Sequence, residues 1–589
     1  MDTGFVNSIL RANFFPPKDM WFTPFPINYY YFGHLVTAVL TKLSNLPSNV
    51  TFNLMIATLC SFTFVASFSI GVNLAYSLRP KLHVIRHTLY AVPAGLLVAF
   101  LVTFSGNLHT LYTLFKPYTG DPVPPWQLAF SPGSFPNGYW YPNATRFIYH
   151  TIHEFPAYSF IVSDLHGHLT DVPFVLLTIA ILLSVFKNLD FEHSLKITNF
   201  KLKIPLIGFL LAVMYMTNAW DGFIYFLLAA LVVIIIFFKQ KPKGYILNST
   251  YFILSILIGF FIFSLPFSLT FKPFVSGIGV ICAPKFLTGI GHLGPFLFEA
   301  GNCQRSPLYQ LGVLYGFFYI WVVAFLIFLF HKPSAIRHKL LASDIFVLLL
   351  IFISTVLIII PEFFYIKDIY ATYYRANTMF KLVYESFIML SISSGYIIIR
   401  IITGVKKLFA VCCVLFAIPL VFFVSIYPVF GVNSYYDSLK TYHGLDGTNY
   451  LKALYPTDYQ AILWINAHIK NQPVIAEAVG DAYTDFARES ANTGLPTLLG
   501  WPTHEWLWRG TYDIPSPRIA EVKTFYETQD LQTAKNILQK YNVAYVFVGD
   551  LERQKYPALS EEKFKSLGQI IYQNGNTRIY KIFEFKKSL

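Results

Sequence analysis

Ten apolar windows, most of them close to bilayer length, lie between residues 53 and 427 and leave little choice of fold class. They fall near 53–77, 88–106, 171–187, 204–219, 221–238, 251–270, 309–330, 343–361, 381–401 and 408–427. About 20 apolar residues in a helix cross the hydrocarbon, and a helix satisfies its own backbone hydrogen bonds there. Composition agrees: of 589 residues, 55% are hydrophobic and 13% charged, against roughly a quarter charged in soluble domains. The chain reads as a polytopic α-helical membrane protein with about ten spans.

A net charge of +13 would suit nucleic acid if it formed one surface. Instead it gathers in five short loops, 79–87, 187–203, 239–243, 331–339 and 400–407, with only Asp190 and Glu192 as acids among them. Basic residues confined to alternate loops mark the cytoplasmic side, so the basicity reports topology and no nucleic-acid partner is expected. The chain is then a multi-pass plasma-membrane protein, with residues 1–52 and everything after about 430 outside. The window 29–43, YYYFGHLVTAVLTKL, has both ends outside and reads as a helix lying in the interface. No signal peptide or earlier span precedes it, so Met1 reads as an internal start of a longer gene, or the first membrane helix is missing.

Three domains follow. Residues 1–52 form an outer segment with the interfacial helix. Residues 53–430 form the membrane domain, with long outer loops at 107–170, 271–308 and 362–380; long loops commonly carry function. Residues 431–589 form an extracytoplasmic α/β domain. In it 456–470 and 530–541 read as helices and 473–479 and 543–550 as strands. The last segment is a hairpin around Asn574-Gly575. Cys282 and Cys303 share one outer loop, where a disulfide and two free thiols are both compatible with the spacing.

Ionisable residues gather at the expected outer surface: Asp2, Asp19, His34, Glu154, Asp164, His166, His168, Asp171, Asp221, Glu362, Asp368 and Arg375. Charge near hydrocarbon is costly, which makes such clusters functional candidates. In SDLHGHLTD, Asp164 and His168 are one helical turn apart, with His166 beside them. Carboxylate with imidazole suits a divalent cation such as Mn²⁺ or Mg²⁺. Asp171 also reads as a helix N-cap. Arg375 and Lys381 suit a phosphate at the membrane surface, or act as snorkelling anchors. Lys381 and Glu385 are spaced to pair. Tyr29 and Tyr30 fit an aromatic membrane belt. In the outer domain Trp501, His504, Glu505, Trp508 and Arg509 suit a sugar-stacking surface, or a packed loop with an internal Glu–Arg pair.

FPPKDMWF, INYYYFGH, EFPAYSFIVSDLHGHLTDVPF, TNAWDGFIY, EFFYIKDIYATYYRANTMFK and TGLPTLLGWPTHEWLWRG together resemble the uncharacterised prokaryotic YYY membrane-protein family, named for the triple tyrosine seen at Tyr29–Tyr31. Members generally carry further membrane sequence upstream. A wider similarity is to GT-C glycosyltransferases, which use polyprenyl-phosphate-linked sugars. That resemblance implies an acidic residue after the first membrane helix, matched by Asp2, and a later acidic site matched by Asp164 with His166 and His168. Asp-Leu-His stands where that class often has Asp-x-Asp. The expectation is sugar transfer from a polyprenyl-phosphate donor to a glycan or protein acceptor at the outer face. In it Asp2 is the base, Asp164 is catalytic, Arg375 and Lys381 hold the donor phosphate, and the 501–509 residues hold the acceptor. Asp19, Tyr29, Tyr30, His34, Glu154, Asp221, Glu362 and Asp368 are further pocket candidates. The rival expectations are a transporter or flippase of lipid-linked glycans, a non-catalytic cell-envelope assembly protein, and a metal-dependent hydrolase.

Overall fold

The computed structural model describes residues 1–76, 78, 84–116, 122–187, 203–240, 244–330 and 340–584. The basic stretches 79–83, 188–202, 241–243 and 331–339, where most of the expected inner loops fall, lie outside the described residues. Every apolar window coincides with a helix. Eight described helices are long and apolar enough to cross a bilayer: Ser48–Tyr76, Gly167–Lys187, Ala219–Lys239, Tyr245–Ser268, Leu308–Phe330, Ala342–Glu362, Ala376–Gly404 and Lys407–Tyr435. A ninth arises if Tyr90–Thr103 and Leu108–Leu114, bent by 78° at a short break, form one span. Lys203–Thr217 is apolar but has only 15 residues, about 22 Å of helix. Among the described residues, eight or nine of the expected ten spans thus meet the length and composition of a bilayer crossing.

The chain separates into two compact units. One holds residues 56–265 and 277–442 and is a helix bundle. Ala376–Gly404 is its central member: 78% of its most apolar window is buried, against 11% for Lys407–Tyr435. It packs on Val84–Thr103, Leu308–Phe330 and Ala342–Ile359. Its small residues make this possible. A Cβ on Gly395 would lie 2.5 Å from Val98 Cγ2, so the glycine lets two helices approach as small residues do in membranes. Arg400, assigned above to an inner loop, lies inside this helix. Its Nε and Nη2 donate to Asp344 at 3.0 and 3.2 Å, and Tyr396 OH donates to the same carboxylate at 2.7 Å. Both members of this pair are buried, and a buried charge persists only when paired and hydrogen-bonded.

Two of the long loops expected outside are ordered against each other in this unit. Strand Ile278–Val280 pairs antiparallel with Phe364–Ile366, in register Ile278↔Ile366, and parallel with Phe296–Leu297, which pairs with His292–Leu293. Cys282 and Cys303 form a disulfide in this region, which resolves the open cysteine question towards a bond.

The other unit holds residues 1–55, 266–276 and 443–589. Its sheet runs Val474–Ala476, Val543–Val548, Thr577–Ile582, Gly568–Asn574. The first pair is parallel and the others antiparallel. The helices Pro456–His468 and Leu531–Tyr541 and the Asn-Gly hairpin appear where the periodicity places them. Asp530 caps the second helix by accepting from Gln532 and Thr533 N–H. Asp2–Arg11 and Phe32–Ser44 pack together, and Asp2–Arg11 also packs on Arg488–Thr493. Arg11 fastens this contact, with Nη1 donating to Ile469 O at 2.7 Å and Nε donating to Thr493 O.

Candidate functional site

In the helix-bundle unit, Pro156–Ile161 leads through a tight turn into Gly167–Lys187. Ser163 has φ 54°, and Asp164 N–H donates back to Ser159 O at 3.0 Å, which turns the Asp164 side chain over the new helix. Gly167 is required at that start. A Cβ there would stand 2.2 Å from the Thr217 carbonyl oxygen, so only glycine lets the end of Lys203–Thr217 lie so close.

Asp164 Oδ1 bonds His166 Nδ1 at 2.5 Å, and Oδ2 lies 3.7 Å from His168 Nε2. The same His168 nitrogen is 3.2 Å from Ser159 Oγ, which accepts from Tyr384 OH at 3.4 Å. His168 is buried, with Phe380 and Tyr384 edge-on to its ring at 4.7 and 4.9 Å. Glu154 completes the cluster: ligand atoms of Glu154, Asp164 and His168 lie within 4.8 Å of one another. Arg146 Nη2 also donates to Glu154 at 2.6 Å. Burial raises the Glu154 pKa and Arg146 partly offsets that. Two carboxylates with an imidazole form a donor set for a divalent cation. Asp164 and His168 therefore come together as the spacing implied, Glu154 takes a ligand place beside them, and His166 buttresses Asp164 within this unit. Sequence reading missed Arg146, Ser159 and Tyr384, which reach the cluster through tertiary packing and leave no local pattern.

Below the cluster, Asp171 is not a helix cap, because the helix begins four residues earlier at Gly167. It is buried beside Asp221, which accepts from Asn218 Nδ2 at 2.8 Å. Glu385 accepts from Tyr225 OH at 2.6 Å. Lys381 is half-buried, within electrostatic reach of Asp221, Asp164, Glu154 and Glu385, with its Nζ 4.9 Å from the centre of the Phe380 ring.

Arg375 does not stand ready for a phosphate. It is 1% exposed, with Nη1 on Glu362 at 3.0 Å and Nη2 on Ser306 Oγ at 3.1 Å. The guanidinium and Glu362 are each other's partner, as buried charges require. Asp368 accepts from Asn377 Nδ2 at 2.6 Å and Tyr370 N–H at 2.8 Å. It lines a cavity of about 190 Å³ with Glu299, Tyr365 and Lys367, and burial raises its pKa.

In the other unit, Asp2 Oδ1 lies 2.8 Å from Nε2 of the buried His34. Asp19 and Glu505 are fully buried and share Arg509, whose Nη2 meets Asp19 at 2.6 Å and whose Nε meets Glu505 at 3.1 Å. Trp508 is 1% exposed, stacked with Trp21 at 6.1 Å and close to Phe5 and Tyr29 at 5.2 and 5.5 Å. Asp19, Glu505, Trp508 and Arg509 thus form an internal network instead of a presented acceptor surface. His504 packs among Trp21, Trp501 and Trp508. Tyr29 and Tyr30 pack on Phe274, and Tyr30 on Phe271 as well. Trp501 lines a cavity of about 490 Å³.

The family model described as "Uncharacterized membrane protein (DUF2298)" matches residues 1–343 and 333–390. No curated protein matches the chain. Among solved structures it is similar to the Archaeoglobus fulgidus oligosaccharyltransferase tethered with an acceptor peptide, at 10% identity and TM-score 0.42, covering 99% of this chain and 69% of that one. It is similar also to the archaeal oligosaccharyltransferase AglB from the same organism, in complex with an inhibitory peptide and a dolichol-phosphate. There the identity is 11% and the TM-score 0.41, over 99% of this chain and 70% of that one.

Proposed function

Because the chain belongs to the DUF2298 family of uncharacterized membrane proteins, we propose a function from its own residues: a GT-C-like glycosyltransferase working at the outer membrane face. The donor is a polyprenyl-phosphate-linked sugar, and residues after about 430 lie outside the membrane. The observation that carries this reading is the convergence of Glu154, Asp164 and His168 at the mouth of Gly167–Lys187. A cation bound by these three would neutralise charge on the donor phosphate. Their chemistry fits such an ion: two anionic oxygen donors and one imidazole, with His166 and Ser159 orienting Asp164 and His168.

Lys381, within electrostatic reach of this cluster, supplies a positive charge for the leaving phosphate. Arg375 has no such role, since it is committed to Glu362. Asp2 is the base, oriented by His34. The acceptor hydroxyl oxygen forms a bond to the anomeric carbon as the bond from that carbon to the phosphate oxygen breaks. The hydroxyl proton goes to Asp2, and the electron pair leaves with the polyprenyl phosphate.

The test is sugar transfer by the purified protein in lipid nanodiscs, using labelled polyprenyl-phosphate sugars and envelope glycans. Asp164→Asn and Asp2→Asn are each expected to lower transfer by about 10²–10⁴-fold. Transfer undiminished in either variant removes that residue's role. A second reading, transport of a lipid-linked glycan, draws on the buried Asp171, Asp221 and Glu385 within the spans and on the 78° bend after Tyr90–Thr103. Movement of the lipid-linked sugar across a liposome membrane without any transfer would favour it.

A further inference from the structure

We propose that the cavity of about 490 Å³ in the unit containing residues 1–55 and 443–589 binds a neutral oligosaccharide, and that this glycan is the acceptor. The acceptor role rests on the transfer reaction proposed above; the binding site stands on its own observations. The volume falls within the range of small-ligand sites.

Its wall carries an aromatic platform. Trp21 and Trp501 lie 4.6 Å apart between ring centres, and Tyr483 lies 5.6 Å from Trp501. Tyr483 is the telling residue. It is 86% exposed and sits at φ 62°, a left-handed backbone that bulky residues seldom adopt. An exposed ring gains little from burial, so packing does not account for a tyrosine held in that conformation. Presentation of its face to a ligand does. The flat, CH-rich face of a pyranose is the natural partner of such a ring.

The polar lining is mostly amides and hydroxyls, with one acid, Asp485, which accepts from Tyr455 OH at 2.9 Å. Asn49 and Asn53 donate their amide nitrogens to Asp446 at 2.7 Å and Leu445 O at 2.9 Å. Their carbonyl oxygens are acceptors for sugar hydroxyls, and the second N–H of the Asn53 amide is a donor. Arg488 is the one basic side chain among the lining residues, and it is already paired with the buried Asp458 and Glu489. A phosphorylated or acidic ligand would therefore meet a guanidinium already paired and the carboxylate of Asp485. Met1 and Thr3, on either side of Asp2, line the same cavity, which sets the glycan against the turn that carries the base.

The full-length protein in detergent is applied to a broad glycan array, and the best-retained oligosaccharide is titrated against tryptophan fluorescence. Retention of a related set of neutral glycans is expected. Tyr483→Gly, which relieves the backbone while deleting the ring, is expected to melt at or above the wild-type temperature and to bind at least tenfold more weakly. Asn53→Ala is expected to weaken binding as well, and Asp164→Asn to bind normally. An array with no retained glycan, retention unchanged in Tyr483→Gly, or saturable binding of unglycosylated peptides in place of sugars overturns the site. Glycan binding with no transfer from any donor refutes the reaction and leaves the site. Transfer that ignores Tyr483 and Asn53 refutes the acceptor role of this cavity and leaves the reaction.

Discussion

Asp19 separates a structural from a functional account of this protein most sharply. From sequence it is a pocket candidate; in the fold it is fully buried, accepting from Trp21 N–H at 2.9 Å and from Arg509 Nη2 at 2.6 Å. Asp19→Asn keeps an acceptor for the Trp21 amide, removes the charge, and puts an NH2 donor where Arg509 Nη2 had met a carboxylate oxygen. Arg509 is then left with Glu505 as its one carboxylate. Breaking a buried pair from one side costs about 3–5 kcal/mol. For a unit of about 200 residues, a kilocalorie per mole moves the melting temperature by about 2–4 °C, so the expected fall is about 6–20 °C. Tryptophan fluorescence during heating in detergent reads it, because Trp21, Trp501 and Trp508 surround this network. In a double-mutant cycle, Arg509→Met should cost clearly less in the Asp19→Asn background than alone. A melting temperature within 2 °C of wild type, or strictly additive losses, would refute the pairing argument. Lost sugar transfer at unchanged stability would return Asp19 to the functional list.

Glu505 predicts a pH dependence. Burial, then Asp19, pushes its pKa up to about 8 from an ordinary 4.5, so between those values the folded chain keeps a proton the unfolded chain has lost. Stability therefore falls as pH rises across that window, by up to about 1.4 kcal/mol per pH unit, and Glu505→Gln should flatten the slope of melting temperature against pH. Gly167→Ala forces a methyl group to 2.2 Å from the Thr217 carbonyl oxygen. It should cost about 1–3 kcal/mol and transfer activity with it; a wild-type melt would contradict the close helix approach. Cys282 and Cys303, paired across a 21-residue separation, should resist a membrane-impermeant maleimide until reduced, and Cys282→Ser should cost about 3 kcal/mol. Labelling of either cysteine in the unreduced protein would contradict the bond.

Sequence periodicity located the helices because each must bury or expose a continuous apolar surface, and that demand is written locally. The Asn574-Gly575 hairpin and the Asp530 cap are equally local, since turn and cap chemistry are decided by a few adjacent residues. The i,i+4 spacing of Asp164 and His168 likewise announced their contact. Misplaced residues share one property: their partners are distant in sequence. Arg375 read as a phosphate ligand until Glu362 and Ser306 came to it, and Arg400 read as a loop cation until Asp344 did. Glu505 and Arg509 were a pair by spacing, but nothing local said that Asp19 would join them.

The sequence by itself determined the membrane class, the positions of the long apolar helices and the proximity of Asp164 to His166 and His168, because hydrophobic length and helical spacing act over a few turns. Tertiary structure alone decided which charges are spent on one another. It also decided that residues 1–55 build one unit with residues 443–589, and that Tyr483, Trp501 and Trp21 face a shared cavity. The reason is physical: a buried charge or an aromatic face takes its meaning from whatever neighbour removes it from water, and that neighbour is chosen by the fold.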